Sequence, residues 1–455
     1  MLFERFVSKG LAHYSYMIGD RNEAAVIDPK RDCETYIEQA TAAGLKISYI
    51  LETHRNEDYF VGSAELASRT GAEIWHADGQ WDYNYGQSAE HGQKWDVGRL
   101  KIEAIQTPGH TPGSISYLLH DPSGVPWVVF TGDILFADEI GRIDLLGIVQ
   151  APALASQIYD SIFNKLLPLG DGIIVCPAHG AGSVCGESIA ERLWTTIGLE
   201  KEHNYRLKIK DQKKFVESLL KSQPERPPYF SMMEKVNLEG RPILGALPAV
   251  KPISPKNFEL LAKGAQIVDT RRELGFGAAH VPGAQFIWLD GLASFAGWYL
   301  SYDKPILLVN ETDDPEEATR ILVRLGYENI AGYLAGGMLN WHISGQSSQS
   351  ITTLSIQESC TSLDKDENVW ILDVRSDKEL DEKGSIAGAQ HIQITQIPAR
   401  YTEVPDDRPI YVFCGSGLRS MVVASYLQNR GYKDLAVILG GMAGWKSIRC
   451  PILKK

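Results

Sequence analysis

The sequence has few cysteines, no long apolar run and no excess of positive charge. Its six cysteines are scattered and form no C-x-x-C pair, which argues against a disulfide framework or a zinc ribbon. No apolar run reaches the roughly 18 residues that a membrane span needs. The formal net charge of −12 argues against a nucleic-acid or anionic-membrane partner. We therefore expect neither nucleic acid nor a membrane among its partners.

The rest of the composition fits a multidomain globular enzyme. The chain has 455 residues, of which 44% are hydrophobic and 22% are charged, and this length predicts about three domains. Residues 1–6 show no charged stretch followed by an apolar one, so we find no signal peptide and predict a cytoplasmic protein.

The second half of the chain contains an internal repeat. Asp269 recurs as Asp373, 104 residues later, and the Gly-Gly-Met turn at 336–338 recurs at 440–442. Short apolar strands alternate with amphipathic helices in each copy. This pattern predicts two α/β domains, each with a central and mostly parallel sheet.

The repeat divides the chain into three predicted domains. We place an N-terminal domain at 1–245, which includes a C-terminal helical extension and a linker, and the two repeats at 246–350 and 351–455. A Glu/Lys-rich segment at about 186–222 is predicted to be helical. It leads into a connector with seven prolines between 224 and 255, which cannot be one regular element and is predicted to be a linker.

Four predicted strands of the N-terminal domain each lead into a side chain that can bind a metal. Because such strand ends meet along one edge of a sheet, we expect these side chains to converge. A single histidine is a hydrogen-bonding loop residue as often as it is a metal ligand, but four such side chains in this order indicate a metal site. They are His54 after 47–51, His110 after 102–105, Asp133 after 128–130 and His179 after 173–175.

Residues 1–245 resemble the metallo-β-lactamase superfamily and, within it, the persulfide dioxygenase branch. The resemblance implies an αββα sandwich for this part. It also implies that one Fe(II) ion per chain is bound by the residues that match the family's ligands, since two histidines and one carboxylate suit a single iron with open positions. These ligands are His54, His110 and Asp133. The segments that carry the resemblance are Thr53-His54, Thr107–Gly113, Thr131–Asp133 and Gly141–Asp144.

The sequence departs from the family's His-x-His-x-Asp-His run at two positions. Asp58 is kept, but Asn56 and Tyr59 occupy the second and third histidine positions. A second metal ion is therefore not expected. Asp58 and His179 become candidates for residues that orient the iron ligands or bind water.

Arg142 also lies in a segment that carries the resemblance. Its position matches a residue near the substrate pocket of the family, which implies a role in substrate binding. An ion pair to Asp144 or Asp138 is the alternative role for this arginine.

The second repeat contains a cysteine loop, Cys414–Ser420, directly after a predicted buried strand. Two glycines and an arginine that opens a helix surround the cysteine with backbone N–H groups, which stabilise an anionic sulfur. The loop resembles the active-site loop of rhodanese sulfurtransferases, and it is one residue shorter than the loop of rhodanese-like phosphatases. The resemblance implies that Cys414 and Arg419 are catalytic. It also implies a persulfide cradle formed by Gly415, Ser416, Gly417 and Leu418.

The first repeat lacks this chemistry. Asn310 stands where the second repeat has Cys414, and the acidic loop 310–314 would repel an anionic persulfide. We therefore predict that the first repeat is a non-catalytic rhodanese-like domain that bridges the two active domains.

The resemblances together imply a persulfide dioxygenase fused to an inactive and an active rhodanese. O2 would oxidise the persulfide of glutathione, coenzyme A or a related thiol to sulfite, as in sulfide detoxification. Cys414 would form thiosulfate from this sulfite or run the reverse transfer. We also expect a homo-oligomer.

Two alternatives remain. The first is a thioester hydrolase of the glyoxalase II kind fused to a rhodanese, but such an enzyme needs two metal ions. The second is a catalytically inactive scaffold, against which the intact His54, His110, Asp133 and Cys414 argue.

Overall fold

The computed structural model describes residues 1–77, 83–186, 188–221, 225–240, 242–365, 368–448 and 452–453. Contacts divide the chain into two compact units. The first comprises Met1–Leu247 together with Val323–Gly326, and the second comprises Pro248–Leu322 together with Tyr327–Lys455. The second unit contains most of both repeats.

The first unit is built on two six-stranded sheets. Its strands are β1 Leu2–Ser8, β2 His13–Asp20, β3 Glu23–Ile27, β4 Lys46–Leu51, β5 Glu73–His76, β6 Gln87–Ser88, β7 Lys94–Val97, β8 Leu100–Gln106, β9 Ile115–His120, β10 Pro126–Gly132, β11 Ile174–Pro177 and β12 Thr195–Thr196. The sheet orders are β1-β2-β3-β4-β5-β6 and β12-β11-β10-β9-β8-β7. Each sheet mixes antiparallel and parallel pairs.

Helices cover the outer faces of both sheets. The helices of the first unit are α1 Glu34–Ala42, α2 Ser63–Thr70, α3 Ala151–Asp160, α4 Ile197–His203, α5 Gln212–Lys221 and α6 Phe230–Glu239. Helix α3 continues into a π-helical turn at Ser161–Leu166 and a short 3-10 turn at Leu167–Leu169.

Successive side chains along each strand point to opposite faces of the sheet, so one set lies between the two sheets and the other lies under the helices. Tyr16 of β2 and Phe130 of β10 point into the space between the two sheets, where their ring centres lie 5.1 Å apart. The neighbouring Met17 and Val129 point to the opposite outer faces. There, α1 and α2 cover the first sheet, and α3 and α5 cover the second. The predicted αββα sandwich is confirmed.

The two repeats have the same sheet architecture. Their strands are β13 Pro252–Ile253, β14 Gln266–Asp269, β15 Ala284–Phe286, β16 Ile306–Val309, β17 Ile330–Leu334, β18 Thr352–Leu354, β19 Trp370–Asp373, β20 Ser385–Ile386, β21 Gln390–His391, β22 Ile410–Phe413, β23 Leu435–Ile438 and β24 Ile452–Leu453. The five-stranded sheets have the orders β13-β17-β16-β14-β15 and β18-β23-β22-β19-β21, and every pair in them is parallel. This equivalence confirms the predicted parallel sheets.

Helices of similar position flank the two parallel sheets. They are α7 Pro255–Ala262, α8 Glu273–Ala278, α9 Leu292–Tyr299, α10 Glu316–Arg324, α11 Gly337–Ile343, α12 Ile356–Lys365, α13 Asp377–Lys383, α14 Ile397–Arg400, α15 Leu418–Gln428 and α16 Gly441–Ser447.

The two repeats share one hydrophobic core. Polar contacts also join them: Gln285 Nε2 donates to Ser425 Oγ at 2.8 Å, and Tyr299 OH donates to the carbonyl oxygen of Ile394 at 2.6 Å. Because this core is continuous, the repeats form a single compact unit rather than two.

Two segments between the sandwich and the repeats are partly regular. The segment at 186–222 is only partly helical, since its described residues contain β12 as well as α4 and α5, while 187 and 222 lie outside the described residues. The proline-rich connector contains a regular element, α6, between Pro228 and Pro242. Prolines at the ends of a segment do not prevent a helix between them.

The cysteines are mostly unpaired. Cys33, Cys176, Cys185 and Cys414 are free and buried. Cys360 is disulfide-bonded, which does not make the disulfide framework that the sequence argues against. Within the described part of the chain, the helices are all too short or too polar to cross a bilayer.

Candidate metal centre and cysteine loop

Loops at the ends of four strands bring the predicted ligands to one buried place. His54 lies in the loop after β4, His110 lies between β8 and β9, and Asp133 comes directly after β10. His179 follows β11. All four residues are at most 2% exposed. The structure therefore brings together the residues that the strand ends predicted.

Two glycines permit this close approach. Gly132 has a φ of +55°, and a Cβ atom there would lie 2.5 Å from Thr53 Oγ1, next to His54. A Cβ atom at Gly141 would collide with the carbonyl oxygen of Asp133. Residues with side chains at these positions would push the loops apart.

Hydrogen bonds orient the rings of His54 and His110. His54 Nδ1 lies 2.8 Å from Thr53 Oγ1, whose hydroxyl donates to the Asp28 carboxylate at 2.7 Å. The Thr53 oxygen therefore accepts from His54 Nδ1–H. His110 Nδ1 donates to the carbonyl oxygen of Arg142 at 2.9 Å. Both rings therefore turn Nε2 into the site. Burial lowers the pKa of His54 to about 4. Burial also opposes a charged His110 ring, but Glu57 outweighs it and raises the pKa of His110 to about 9, so a metal bound there would displace the His110 proton.

The donor atoms fit one metal ion. His54 Nε2 and His110 Nε2 lie 3.8 Å and 3.7 Å from Asp133 Oδ2. Two atoms bound to one ion at about 2.1 Å are about 3.0 Å apart at right angles and about 4.2 Å apart on opposite sides. Neither Nε2 atom has a hydrogen-bond partner. These three residues could therefore hold one ion between them.

His179 lies between two carboxylates. Its Nδ1 is 2.8 Å from Asp133 Oδ1, and its Nε2 is 2.9 Å from Asp58 Oδ2. Burial works against a charged ring, but Asp133 and Asp58 outweigh it and raise the pKa of His179 well above its usual value. As an imidazolium, His179 orients Asp133 and neutralises Asp58.

The residues at the two missing histidine positions make other contacts. Asn56 Nδ2 donates to the carbonyl oxygen of His54 at 3.3 Å, and the Tyr59 ring packs against His13 with ring centres 4.0 Å apart. Both are fully buried. Neither an amide nor a phenol replaces the imidazole that a second zinc or iron ion would need.

A second group of possible ligands lies beside the first. Among the residues that the structure describes, Asp58, His179 and Cys185 each place one ligand atom within 4.8 Å of the others. Burial raises the pKa of the Cys185 thiol well above its usual value, so a metal there would have to displace its proton. Both ring nitrogens of His179 already face carboxylates. The group is therefore poorly suited to a second ion.

Glu57 was not predicted as a site residue, yet its carboxylate faces the same place. Its Oε1 lies 3.2 Å from His110 Nε2, and its Oε2 lies 3.9 Å from His54 Nε2. Burial favours a neutral carboxyl, but His110 outweighs it and lowers the pKa of Glu57 to about 2. The only signal in the sequence is that an acid follows Asn56 inside the ligand run.

Arg142 makes the ion pair that was its alternative role. Its Nε and Nη2 atoms each donate to the Asp144 carboxylate at 2.7 Å, and Nη1 donates to the carbonyl oxygen of Val184 at 3.1 Å. The Arg142 carbonyl orients His110. A role of its side chain in substrate binding stays a prediction.

The cysteine loop of the second repeat connects β22 to α15. Cys414 is fully buried, and its Sγ accepts a hydrogen bond from the N–H of Gly417 at 3.1 Å. The Gly-Gly-Met turn packs against this loop, since a Cβ atom at Gly441 would collide with the carbonyl group of Gly415. One backbone N–H thus points at the sulfur, and a cradle that also includes Gly415, Ser416 and Leu418 stays a prediction.

Arg419 is held by a carboxylate that the sequence analysis did not single out. Its Nη1 and Nη2 atoms donate to the two Glu379 oxygens at 2.6 Å and 2.8 Å. Glu379 is fixed in turn by a capping box with Ser376 at the start of α13. Counting back by the repeat interval of 104 residues leads to Gly275, so the first repeat has no equivalent of this ion pair.

The first repeat has a cavity of about 260 Å³ at the equivalent place. Asn310 lies in its wall and accepts a hydrogen bond from Thr270 Oγ1 at 2.9 Å. Other residues in the wall include the carboxylates of Asp290, Glu311, Asp314 and Glu317. The residues that line this cavity include no cysteine, and acidic side chains outnumber basic ones among them.

Comparisons with known families and structures agree with this architecture. The profile of the Metallo-beta-lactamase superfamily matches residues 9–179, and that of the Rhodanese-like domain matches residues 255–344 and 357–448. The crystal structure of a metallo-beta-lactamase from Staphylococcus aureus subsp. aureus COL is 32% identical, with a TM-score of 0.66. This similarity covers 74% of the present chain and 99% of that chain.

Two curated relatives match the first unit. The mitochondrial persulfide dioxygenase ETHE1 of Mus musculus is 33% identical over 177 residues, which are 36% of this chain and 63% of the relative. The hydroxyacylglutathione hydrolase GloC of Haemophilus influenzae is 29% identical over 206 residues, which are 41% of this chain and 87% of the relative. With its αββα core and its repeated parallel sheets, the chain belongs to the metallo-beta-lactamase superfamily and carries two rhodanese-like domains.

Proposed function

We propose that the N-terminal domain is a mononuclear non-haem iron persulfide dioxygenase and that the second repeat is a sulfurtransferase. The observation that carries the first part is the pair of Nε2 atoms of His54 and His110, which face the Asp133 carboxylate in a buried place. Two histidines and a carboxylate leave positions open for other ligands. The similarity to persulfide dioxygenases supports this reading.

The chain's own residues would hold and orient a single Fe(II) ion. His54, His110 and Asp133 would bind it, and His179 would fix the Asp133 carboxylate. When bound, iron supplies O2 activation and a site for sulfur. The overall reaction would convert RSSH, O2 and H2O into RSH, SO₃²⁻ and two protons. The thiol RSH is glutathione, coenzyme A or a related small thiol.

The second repeat would carry one sulfane sulfur on Cys414. Sulfite would attack the outer sulfur of the Cys414 persulfide, the S–S bond would break, and thiosulfate and the Cys414 thiolate would result. The N–H group of Gly417 already points at this sulfur and would stabilise its negative charge. The reverse transfer, from thiosulfate to Cys414, uses the same groups.

The test of the dioxygenase is metal analysis combined with oxygen uptake. Protein grown with ample iron should contain one iron per chain and should consume O2 with glutathione persulfide or coenzyme A persulfide, releasing sulfite. His110→Ala should lose both iron and oxygen uptake. Two tightly bound zinc ions per chain, with no oxygen uptake, would overturn the proposal.

A thioester hydrolase is the second candidate, because the similarity to GloC spans 87% of that relative. Hydrolysis of this kind uses two metal ions to activate water, and the side chains of Asn56 and Tyr59 are directed elsewhere. Cleavage of lactoylglutathione at a rate above that of oxygen uptake would favour this candidate.

Cellular location and assembly state belong to the same proposal. We propose a cytoplasmic homo-oligomer and retain the domain boundaries 1–245, 246–350 and 351–455. Cell fractionation and light scattering of the purified chain are the tests.

A further inference from the structure

We propose that Glu57 is a fourth metal ligand, which makes the site a centre of two histidines and two carboxylates. This inference rests on the proposed metal site in the N-terminal domain and extends its ligand set. It concerns which side chains touch the ion, and it does not depend on which reaction the ion supports.

The positions of the ligand atoms are the first argument. His54, Glu57 and His110 each place one ligand atom within 4.8 Å of the other two. Glu57 Oε1 lies 3.2 Å from His110 Nε2, close to the about 3.0 Å that separates two atoms bound at right angles to one ion at about 2.1 Å. Glu57 Oε2 lies 3.9 Å from His54 Nε2, still below the upper limit of about 4.2 Å. One ion can therefore contact all three residues.

Missing hydrogen bonds are the second argument. His54 Nε2, His110 Nε2 and Glu57 Oε2 are all buried, and none of the three atoms has a hydrogen-bond partner. A buried polar atom without a partner is costly and normally avoided. A cation bound between these atoms would satisfy all of them at once.

Another buried glutamate of the same unit, Glu200, has a different environment. Glu200, in α4, is fully buried and accepts hydrogen bonds from Thr195 Oγ1, Asn204 Nδ2 and the N–H of Asp138. Glu57 Oε1 instead meets the Cys185 thiol, whose Sγ lies 3.5 Å away, and His110 Nε2, which lies 3.2 Å away. The fold thus supplies hydrogen-bond donors to the Glu200 carboxylate, whereas the Glu57 carboxylate faces the two histidine rings.

The loop that carries Glu57 is held in place by α6. Asn237 Nδ2 donates to the carbonyl oxygens of Asn56 and Tyr59 at 2.7 Å and 2.8 Å, and its Oδ1 accepts from the N–H of Val61 at 3.0 Å. These bonds fix the backbone on both sides of Glu57. Because this backbone is fixed and Glu57 is buried, its carboxylate points into the site and not towards solvent.

A fourth ligand changes what the site can accept. Two carboxylates balance the charge of a divalent ion in a buried place. On a six-coordinate ion, four protein ligands leave two positions, which is the number needed for one sulfur ligand and one O2 molecule. The three-residue set would leave three positions.

The experiment titrates the metal-depleted full chain with Co(II), a spectroscopic probe of the ligand set. Wild type is compared with Glu57→Gln, with His110→Ala as a ligand-loss reference and with Glu200→Gln as a matched buried control. Affinity is measured by calorimetry, and the ligand field is measured by visible absorption.

We expect Glu57→Gln to weaken Co(II) binding on the order of 100-fold or more. Loss of a ligand should weaken binding at least as much as loss of a residue that only orients the ligands. Its visible bands should also shift, because one oxygen ligand is lost. The melting temperature of the metal-free Glu57→Gln chain checks that the variant is folded. Glu200→Gln should keep the wild-type bands.

Two results would overturn the proposal. One is Co(II) affinity of Glu57→Gln within twofold of wild type. The other is weaker binding with unchanged visible bands, which would make Glu57 a positioning residue outside the ligand set. If the bands shift but the wild type consumes no O2 with persulfides, then the ligand assignment stands and the proposed dioxygenase function fails.

Discussion

The two rhodanese-like repeats have the same framework but differ at the place where chemistry would occur. Both pair an aspartate at the end of a strand with an arginine two residues later, Asp269 with Arg271 and Asp373 with Arg375, through the same atoms. Their sheets have equivalent strand orders. The comparison teaches that this aspartate–arginine pair belongs to the fold and not to the reaction.

The differences lie in three features around the cysteine loop. Cys414 is replaced by Asn310, and the loop backbone that surrounds Cys414 is replaced by an acidic segment. The ion pair between Arg419 and Glu379 has no counterpart, because Gly275 stands at the place of Glu379. We therefore expect sulfur-transfer activity to depend on these three features and not on the shared fold.

The largest expected effect comes from exchanging the nucleophile positions. Cys414→Ser should lower thiosulfate:cyanide sulfur transfer by about 1,000-fold or more, because a hydroxyl cannot carry sulfane sulfur. Asn310→Cys in the Cys414→Ser background should not restore transfer, since the first repeat has neither the cradle nor the arginine. The assay is thiocyanate formation. Restoration to more than a tenth of wild type would show that the nucleophile alone separates the repeats.

Breaking the shared framework should have the next largest effect. Asp373→Asn leaves the fully buried Arg375 without its counter-charge, which should destabilise the second unit by about 3–5 kcal/mol. Asp269→Asn should cost a similar amount through Arg271. Urea unfolding followed by tryptophan fluorescence is the measurement, because Trp341 and Trp445 lie in equivalent buried places. A large loss in only one repeat would contradict a common framework.

The sequence predicted most of this architecture, because its signals are local or repeated. The 104-residue interval identified the two domains, and the strand-end positions of His54, His110 and Asp133 identified where the side chains would meet. The cysteine loop was recognisable because closely spaced glycines allow the backbone to turn its N–H groups towards a bound anion.

Long-range contacts explain what the sequence did not reveal. Glu57 faces the histidines from a loop that is held by hydrogen bonds from Asn237, far away in the chain. Glu379 meets Arg419 across 40 residues. Helix α6 was hidden by flanking prolines, although its apolar residues Phe230 and Met233 pack into the first unit. Such long-range contacts form only in the folded protein and produce no periodic pattern in the sequence.

A smaller effect should come from the ion pair that only the second repeat has. Glu379→Gln removes the charge that holds Arg419, so we expect sulfur transfer to fall about tenfold through loss of positioning. Glu382→Gln, on the exposed side of the same helix, is the matched control and should behave as wild type. Kinetics with thiosulfate and cyanide would test this, and the main change should be in kcat. An unchanged rate would make the ion pair purely structural.

The smallest effect is the pH dependence of this same pair. Burial opposes the charge on Glu379, but Arg419 outweighs it and lowers the pKa of this carboxyl to about 2. Because the folded pKa lies below the value in an unfolded chain, the pair contributes its full stability above about pH 4.5. The contribution declines as the pH falls from there towards 2. Wild type and Glu379→Gln should therefore differ in melting temperature at pH 7, and the difference should shrink below about pH 4.5 and vanish only below about pH 2, as measured by calorimetry. A difference that stays constant across this range would mean that the Glu379 charge does not stabilise the second repeat.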